Sequence, residues 1–318
     1  MFRVFLVVAI TLPGCSSREK EQEDFILTEK DIIPEGVAFD PGTQTIYISS
    51  THKRKIVSIG KDGVISDFIR EGQDDIKSVI GMEVESRTNS LWAISSEAND
   101  VLPLKGPGPG QWRSSVYQFN LVDGRLIKRY ALNKDSVFLN DITVGADGTV
   151  YATETMRPAI YKIAPGEDSL QLLVQLKPYT FMNGICFAAD KGRLFATSTE
   201  GILAVDLATK EYRLLASATT VDYKDIDGLA FSGDHFIGHQ STKVCRFRVN
   251  KAMDSIIASD TLNNGKEFDG STTGETGNGY YYFIVNSQIQ SGIDYKKKQI
   301  KPLDSLENII IRKIKLNK

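Results

Sequence analysis

The sequence predicts an all-β protein, a six-bladed β-propeller with four-stranded blades, on three observations. One short motif recurs six times, each recurrence leads into runs of alternating apolar and polar residues between turn signals, and helical periodicity is not evident. The recurring segments are "IPEGVAFDP", "SVIGMEVES", "FLNDITVGA", "FMNGICFAA", "DIDGLAFSG" and "EFDGSTTGE", aligned on Gly36, Gly81, Asp141, Gly184, Gly228 and Gly270. Successive anchors lie 45, 60, 43, 44 and 42 residues apart, so one repeat is stretched.

Each motif is the first strand of a blade. Second strands follow as "TIYISS", "SLWAISS", "TVYATE", "RLFATST", "HFIGHQ" and "YYYFIV", and third strands as "KIVSIG", "SVYQFNL", "AIYKIA", "ILAVDL", "VCRFRV" and "NIIIRKIKL". Polar-edged fourth strands such as "VISDFI" and "LQLLVQL" complete the count, which is the make-up of a propeller blade. The segment "DFILTEK" before the first repeat is expected to pair with the C-terminal "NIIIRKIKLNK" and close the ring, hiding two raw sheet edges. The propeller domain is thus expected over residues 24–318.

The N-terminal stretch "MFRVFLVVAITLPGC" has one early cation and an apolar run too short to span a bilayer, as a secretory signal does. Its Leu-x-Gly-Cys ending resembles the bacterial lipoprotein box. Residues 1–14 then read as a signal peptide, Cys15 as the lipidated residue, and 15–23 as a polar tether; the alternative is a plain signal peptide cut nearby. The expected location is the cell envelope, periplasmic or cell-surface, with a lipid bilayer as partner through Cys15. A net charge of −2 argues against a nucleic-acid partner. A monomer is expected. Cys186 and Cys245 lie inside strand-like runs and read as buried free thiols.

The residues preceding the anchors are Glu35, Ile80, Asn140, Asn183, Asp227 and Asp269. First strands line the channel of a propeller and begin on one face, so symmetry brings five oxygen-bearing side chains to one mouth. Crowded carboxylates near a low-dielectric axis repel one another, and a bound cation resolves the conflict. An all-oxygen set suits calcium, with magnesium or manganese as lesser alternatives.

The segments "PEGVAFD", "NDITVGADGTVYATE", "MNGICFAADKGRLFATS" and "IDGLAFS" resemble the gluconolactonase (senescence-marker-protein) family of calcium-dependent six-bladed propellers. The second of them looks equally like paraoxonases and strictosidine-synthase-like proteins. The resemblance implies that Glu35, Asn183 and Asp227 hold the ion and that Asn140 binds it or lies beside it in contact with substrate. Asp269 is added from the repeat alignment alone. Sugar-lactone hydrolases of the family tend to carry an arginine two residues before the third-blade asparagine, where this chain has Phe138; the departure counts against a sugar lactone and makes a less polar lactone or ester as plausible.

Loops between second and third strands form the rim on the same face, which makes His52, Arg157 and His239 candidate rim residues, the histidines as proton shuttles. The stretched second repeat spends its length on "ANDVLPLKGPGPGQWRSS", expected to cover the mouth with Trp112 or Leu104 as an apolar wall. Glu83 stands out because its counterparts in the other repeats are small; it is read either as a second acid facing the channel or as half of a salt bridge. The leading functional expectation is a metal-dependent hydrolase of a small lactone or ester, with Asp227 and Asn140 as catalytic residues. The rival is a non-catalytic binding propeller with a structural ion, and synthase chemistry of the strictosidine type is a third possibility.

Overall fold

In the computed structural model, which describes residues 21–98, 112–132, 137–188, 192–218 and 220–316, the chain forms six antiparallel blades in succession. Their innermost strands are Val37–Asp40, Ser78–Glu85, Leu139–Val144, Ile185–Ala188, Leu229–Ser232 and Gly274–Gly277. Each touches the next, and the sixth touches the first, so they stand in a closed ring about one axis. The six-bladed, four-stranded expectation holds. Blade five gains a fifth strand, Ala216–Ser217, parallel to its outer strand Ser255–Asn264.

Successive side chains of a strand point to opposite faces, and here each face meets a different neighbouring blade. The run "YYYFI" at Tyr280–Ile284 shows the consequence. Tyr282 and Ile284 pack toward blade one, where Tyr282 stacks on Phe39 at 4.3 Å, whereas Tyr281 and Phe283 pack toward blade five. The apolar interior is accordingly divided into six inter-blade cores. Cys186 and Cys245 are buried free thiols in the core between blades four and five.

The ring closes where Gln22–Leu27 pairs with Ile309–Lys315 as the outermost strand of blade six. This strand takes in Gln22 and Glu23, which composition assigned to the tether. It is an edge strand, so its outward side chains are polar like those of a tether. Cys15 and Leu104 lie outside the described residues, as does most of the long second-blade insertion.

Candidate active site at the channel mouth

Neighbouring inner strands meet at backbone distance where the repeat places its glycines. A β-carbon on Gly36 would lie 2.0 Å from the Ile80 carbonyl oxygen, and one on Gly184 would lie 2.5 Å from that of Asp227. Only glycine admits this approach. Continuing round the ring, Gly228 faces Thr273 and donates its N–H to the Thr272 carbonyl at 2.7 Å. The sixth anchor is therefore Thr273 rather than Gly270. Gly270 serves a different need, a left-handed φ of 66° two residues before Thr272.

The corrected ring reads Glu35, Ile80, Asn140, Asn183, Asp227 and Thr272. Glu35, Asn140, Asn183 and Asp227, with Ile80 and Asp141, line a well of about 10 Å³, room for one water-sized sphere. Asp269 is not among the lining residues, which corrects its expected place in the ring. It is half-buried, accepts a hydrogen bond from Ser291 Oγ, and bridges to Asn286 through its backbone.

Three ring residues are delivered by strained backbone. Ile33, Phe181 and Asp225, each two positions before Glu35, Asn183 and Asp227, have φ of 45°, 50° and 48°. Such a conformation costs on the order of 1–3 kcal/mol at a residue other than glycine, most for β-branched isoleucine. The Ile33 carbonyl is held in place by Thr51, which donates from both its backbone N–H (3.2 Å) and its Oγ1 (2.7 Å).

Electrostatics at the axis are unfavourable for a channel of bare carboxylates. Asp227 is pushed up to about 7, first by burial and then by the charge of Asp141, against a hydrogen bond donated by Asn183. Glu35 is raised well above the ordinary carboxyl range by burial, then by Asp227 and Asp141. Each keeps some solvent contact through the mouth, but protein surrounds it on its other sides. Asp141 also rises to about 7 through burial, although it accepts hydrogen bonds from the N–H groups of Ile142 (2.9 Å) and Ile185 (3.0 Å) and so staples blade three to blade four. Among the described residues no lysine or arginine offsets any of the three.

The donor set fits a hard cation. Asn183 Oδ1 is buried without a hydrogen-bond partner, as expected of an oxygen built to meet something other than protein. Among the described residues no three His, Cys, Asp or Glu side chains are grouped to hold an ion, so a cation in the well would draw on the amides as well as on Glu35 and Asp227.

Below the mouth, Glu83 is hydrogen-bonded to Glu275, the residue that the corrected register makes its counterpart in blade six. Burial and then mutual repulsion raise Glu83 strongly, and burial holds Glu275 at about 7. Such groups stabilise the fold fully below their ordinary value near 4.5, and that contribution is lost as pH rises through the folded value. Glu35, Asp141 and Asp227 act in the same direction. Glu83→Gln lets an amide donate to the Glu275 carboxylate. It should stabilise metal-free protein at about pH 8 by on the order of 1–3 kcal/mol and flatten the fall in melting temperature above about pH 5. Parallel curves for variant and wild type in a chelator would refute repulsion between Glu83 and Glu275 as the cause of that fall.

The rim residues divide. His239 ends the second strand of blade five with its side chain fully buried against blade six, which corrects its expected rim position. Ser271 Oγ donates to the Ile284 carbonyl (2.6 Å), so His239 Nδ1–H donates to Ser271 Oγ (2.8 Å) and Nε2 accepts from the Tyr281 hydroxyl (2.6 Å). Burial lowers this imidazole to about 3, so it stays neutral and shuttles no proton. His52 does sit at the turn after the second strand of blade one, half-buried, with Nε2 4.0 Å from Asp31 and Nδ1 unpartnered; burial lowers its pKa. Arg157 is exposed in the turn of blade three. Trp112 packs on buried Ile80 and Phe138, forming an apolar wall on blades two and three.

On the other side, blades four and five open a cleft of about 280 Å³ beside the well, lined by Phe181, Thr199, Asp225, Asp227, Ser241 and Gln290 among others. A larger cavity, about 580 Å³, lies away from the axis among Arg193, Lys210 and Arg213 and includes no ring residue.

No protein-family model matches this sequence, and no curated protein matches it. Solved structures do resemble it. A gluconolactonase from Xanthomonas campestris superposes with a TM-score of 0.62 at 14% identity, covering 96% of this chain and 94% of that one. The major allergen of Malassezia sympodialis gives 0.70 at 14% identity over 94% and 97%. A virginiamycin B lyase from Staphylococcus aureus gives 0.58 at 15% identity over 93% and 99%. The chain shares its fold with all three over 93–96% of its length.

Proposed function

We propose that the protein is a metal-dependent hydrolase of a small lactone or ester. The observation that carries this reading is the convergence of Glu35, Asn140, Asn183 and Asp227 on one well, with Asn183 Oδ1 left without a partner. These four residues would hold calcium, with magnesium or manganese as the lesser alternatives, and the ion when bound supplies positive charge to polarise the carbonyl and stabilise the oxyanion.

The chain's own groups account for the rest. Asp227 takes a proton from the attacking water, whose oxygen bonds to the carbonyl carbon; the bond to the leaving oxygen then breaks, and that oxygen receives the proton back from Asp227. The Asn183 amide, donating to Asp227, fixes the carboxylate's orientation. Asn140, tied by its Nδ2 to Thr155 Oγ1 at 3.1 Å, turns its amide oxygen to ion or substrate. The wall of Ile80, Phe138 and Trp112 excludes water on one side and favours a substrate less polar than a sugar lactone. The sequence resemblance to gluconolactonases and the shared fold support the class of reaction. In this reading the enzyme acts as a monomer tethered at the cell envelope through Cys15.

Two measurements test it. Calcium should raise the melting temperature, with a stabilisation of about 2.7 kcal/mol at one hundred times its dissociation constant. A panel of lactones and esters should show hydrolysis that a chelator removes. A flat melting curve with calcium, or a panel without turnover, would overturn the proposal.

A further inference from the structure

The cleft on blades four and five holds an aromatic ring that neither packing nor backbone preference explains, together with a solvent-facing carboxylate. Phe181 is 53% exposed, and Asp225 is exposed as well. Both sit at left-handed φ, as does Ser241 across the cleft at 53°. A phenylalanine at positive φ is disfavoured, and an exposed ring recovers little of that cost by burial. No lysine or arginine is among the lining residues, and the remaining polar groups there are hydroxyls, amides and Asp227. With a cation in the neighbouring well, the charge of Asp227 is engaged, and Asp225 is the carboxylate left facing the cleft.

An open aromatic face beside an unopposed carboxylate is the pairing that recognises organic cations. We propose that this cleft is a subsite for an ammonium group, primary or quaternary, carried by the substrate on the side away from the apolar wall. The proposal rests on the hydrolase reading for calling the ligand a substrate; the subsite itself is defined by Phe181 and Asp225. An anionic group of the same size is disfavoured here by both Asp225 and the negative face of the ring.

The test uses the calcium-loaded full chain and phenyl acetates bearing hydrogen, trimethylammonium or carboxylate at the meta position. The wild type should prefer the ammonium ester to the neutral one by about tenfold in kcat/KM and the neutral one to the carboxylate. Asp225→Asn, which keeps a residue tolerant of left-handed backbone, and Phe181→Leu should each bring the ammonium-to-neutral ratio toward one. Phenyltrimethylammonium, which has no ester, should bind the wild type by calorimetry and bind both variants more weakly. If phenyltrimethylammonium binds in this pattern but no ester is cleaved, the subsite stands and the hydrolase reading falls. If esters are cleaved without discrimination and the probe fails to bind, the subsite is overturned and the hydrolase reading survives.

Discussion

Asp227→Asn is expected to lower turnover of an ester or lactone by about 10²–10⁴-fold, the range a positioned general base supplies. The same substitution should raise the melting temperature of the metal-free protein. The two expectations share one cause. Asp227 is the largest charged contributor to the raised Glu35, and Asp141 in turn raises Asp227. Replacing one carboxylate by an isosteric amide relieves that repulsion when no cation is present and weakens the cation's site when one is. The calcium-induced rise in melting temperature should therefore shrink while the chelator baseline moves up. A purely structural Asp227 would behave otherwise: the variant would melt lower in chelator and keep its turnover. Melting curves with calcium and with chelator, together with kcat for the best substrate, decide between the two.

Deleting the chain through Leu27 should leave a protein that does not fold as a monomer. The lost strand supplies Leu27, 2% exposed, to the core shared by blades six and one, and covers the edge of Ile309–Lys315. It also supplies Asp24, which accepts two hydrogen bonds from Arg312, each 2.8 Å. One buried leucine is worth about 2–5 kcal/mol, and a domain is stable by only about 5–15. The graded form of the experiment is Arg312→Ala. That guanidinium is buried and also donates to Glu267 and Asn263, both at 2.9 Å. Asp24 and Glu267 are about a third exposed, so water screens what is left behind, and a loss of about 2–3 kcal/mol in urea denaturation is expected. A truncated chain melting within a few degrees of the intact one would show that the ring is held elsewhere.

The architecture was legible because a propeller writes one local pattern many times, and six weak signals at near-constant spacing outweigh the ambiguity of each. The sixth repeat shows where this fails. Glycine meets two unrelated needs near the mouth, close backbone approach at Gly228 and left-handed φ at Gly270, and a sequence does not distinguish them. Aligning on Gly270 put Asp269 into the ring and hid Glu275, although Glu83 was conspicuous without its partner. Asp141 was passed over because it occupied an anchor position, yet its carboxylate ties two blades. His239 fell on the wrong side by a single step of strand alternation. The strained approaches at Ile33 and Phe181 left no trace, since nothing in those residue types signals positive φ, whereas Asp225 is of a type that tolerates it.

The order of synthesis gives the closing strand a further significance. Residues 22–27 leave the ribosome long before their partner, 309–315. Until that partner emerges, the edge of the early strand is without its mate. A nascent chain of this protein thus carries an open, adhesive strand for as long as it takes to make the other blades, and is exposed to capture by chaperones, or by a second nascent chain, during that interval.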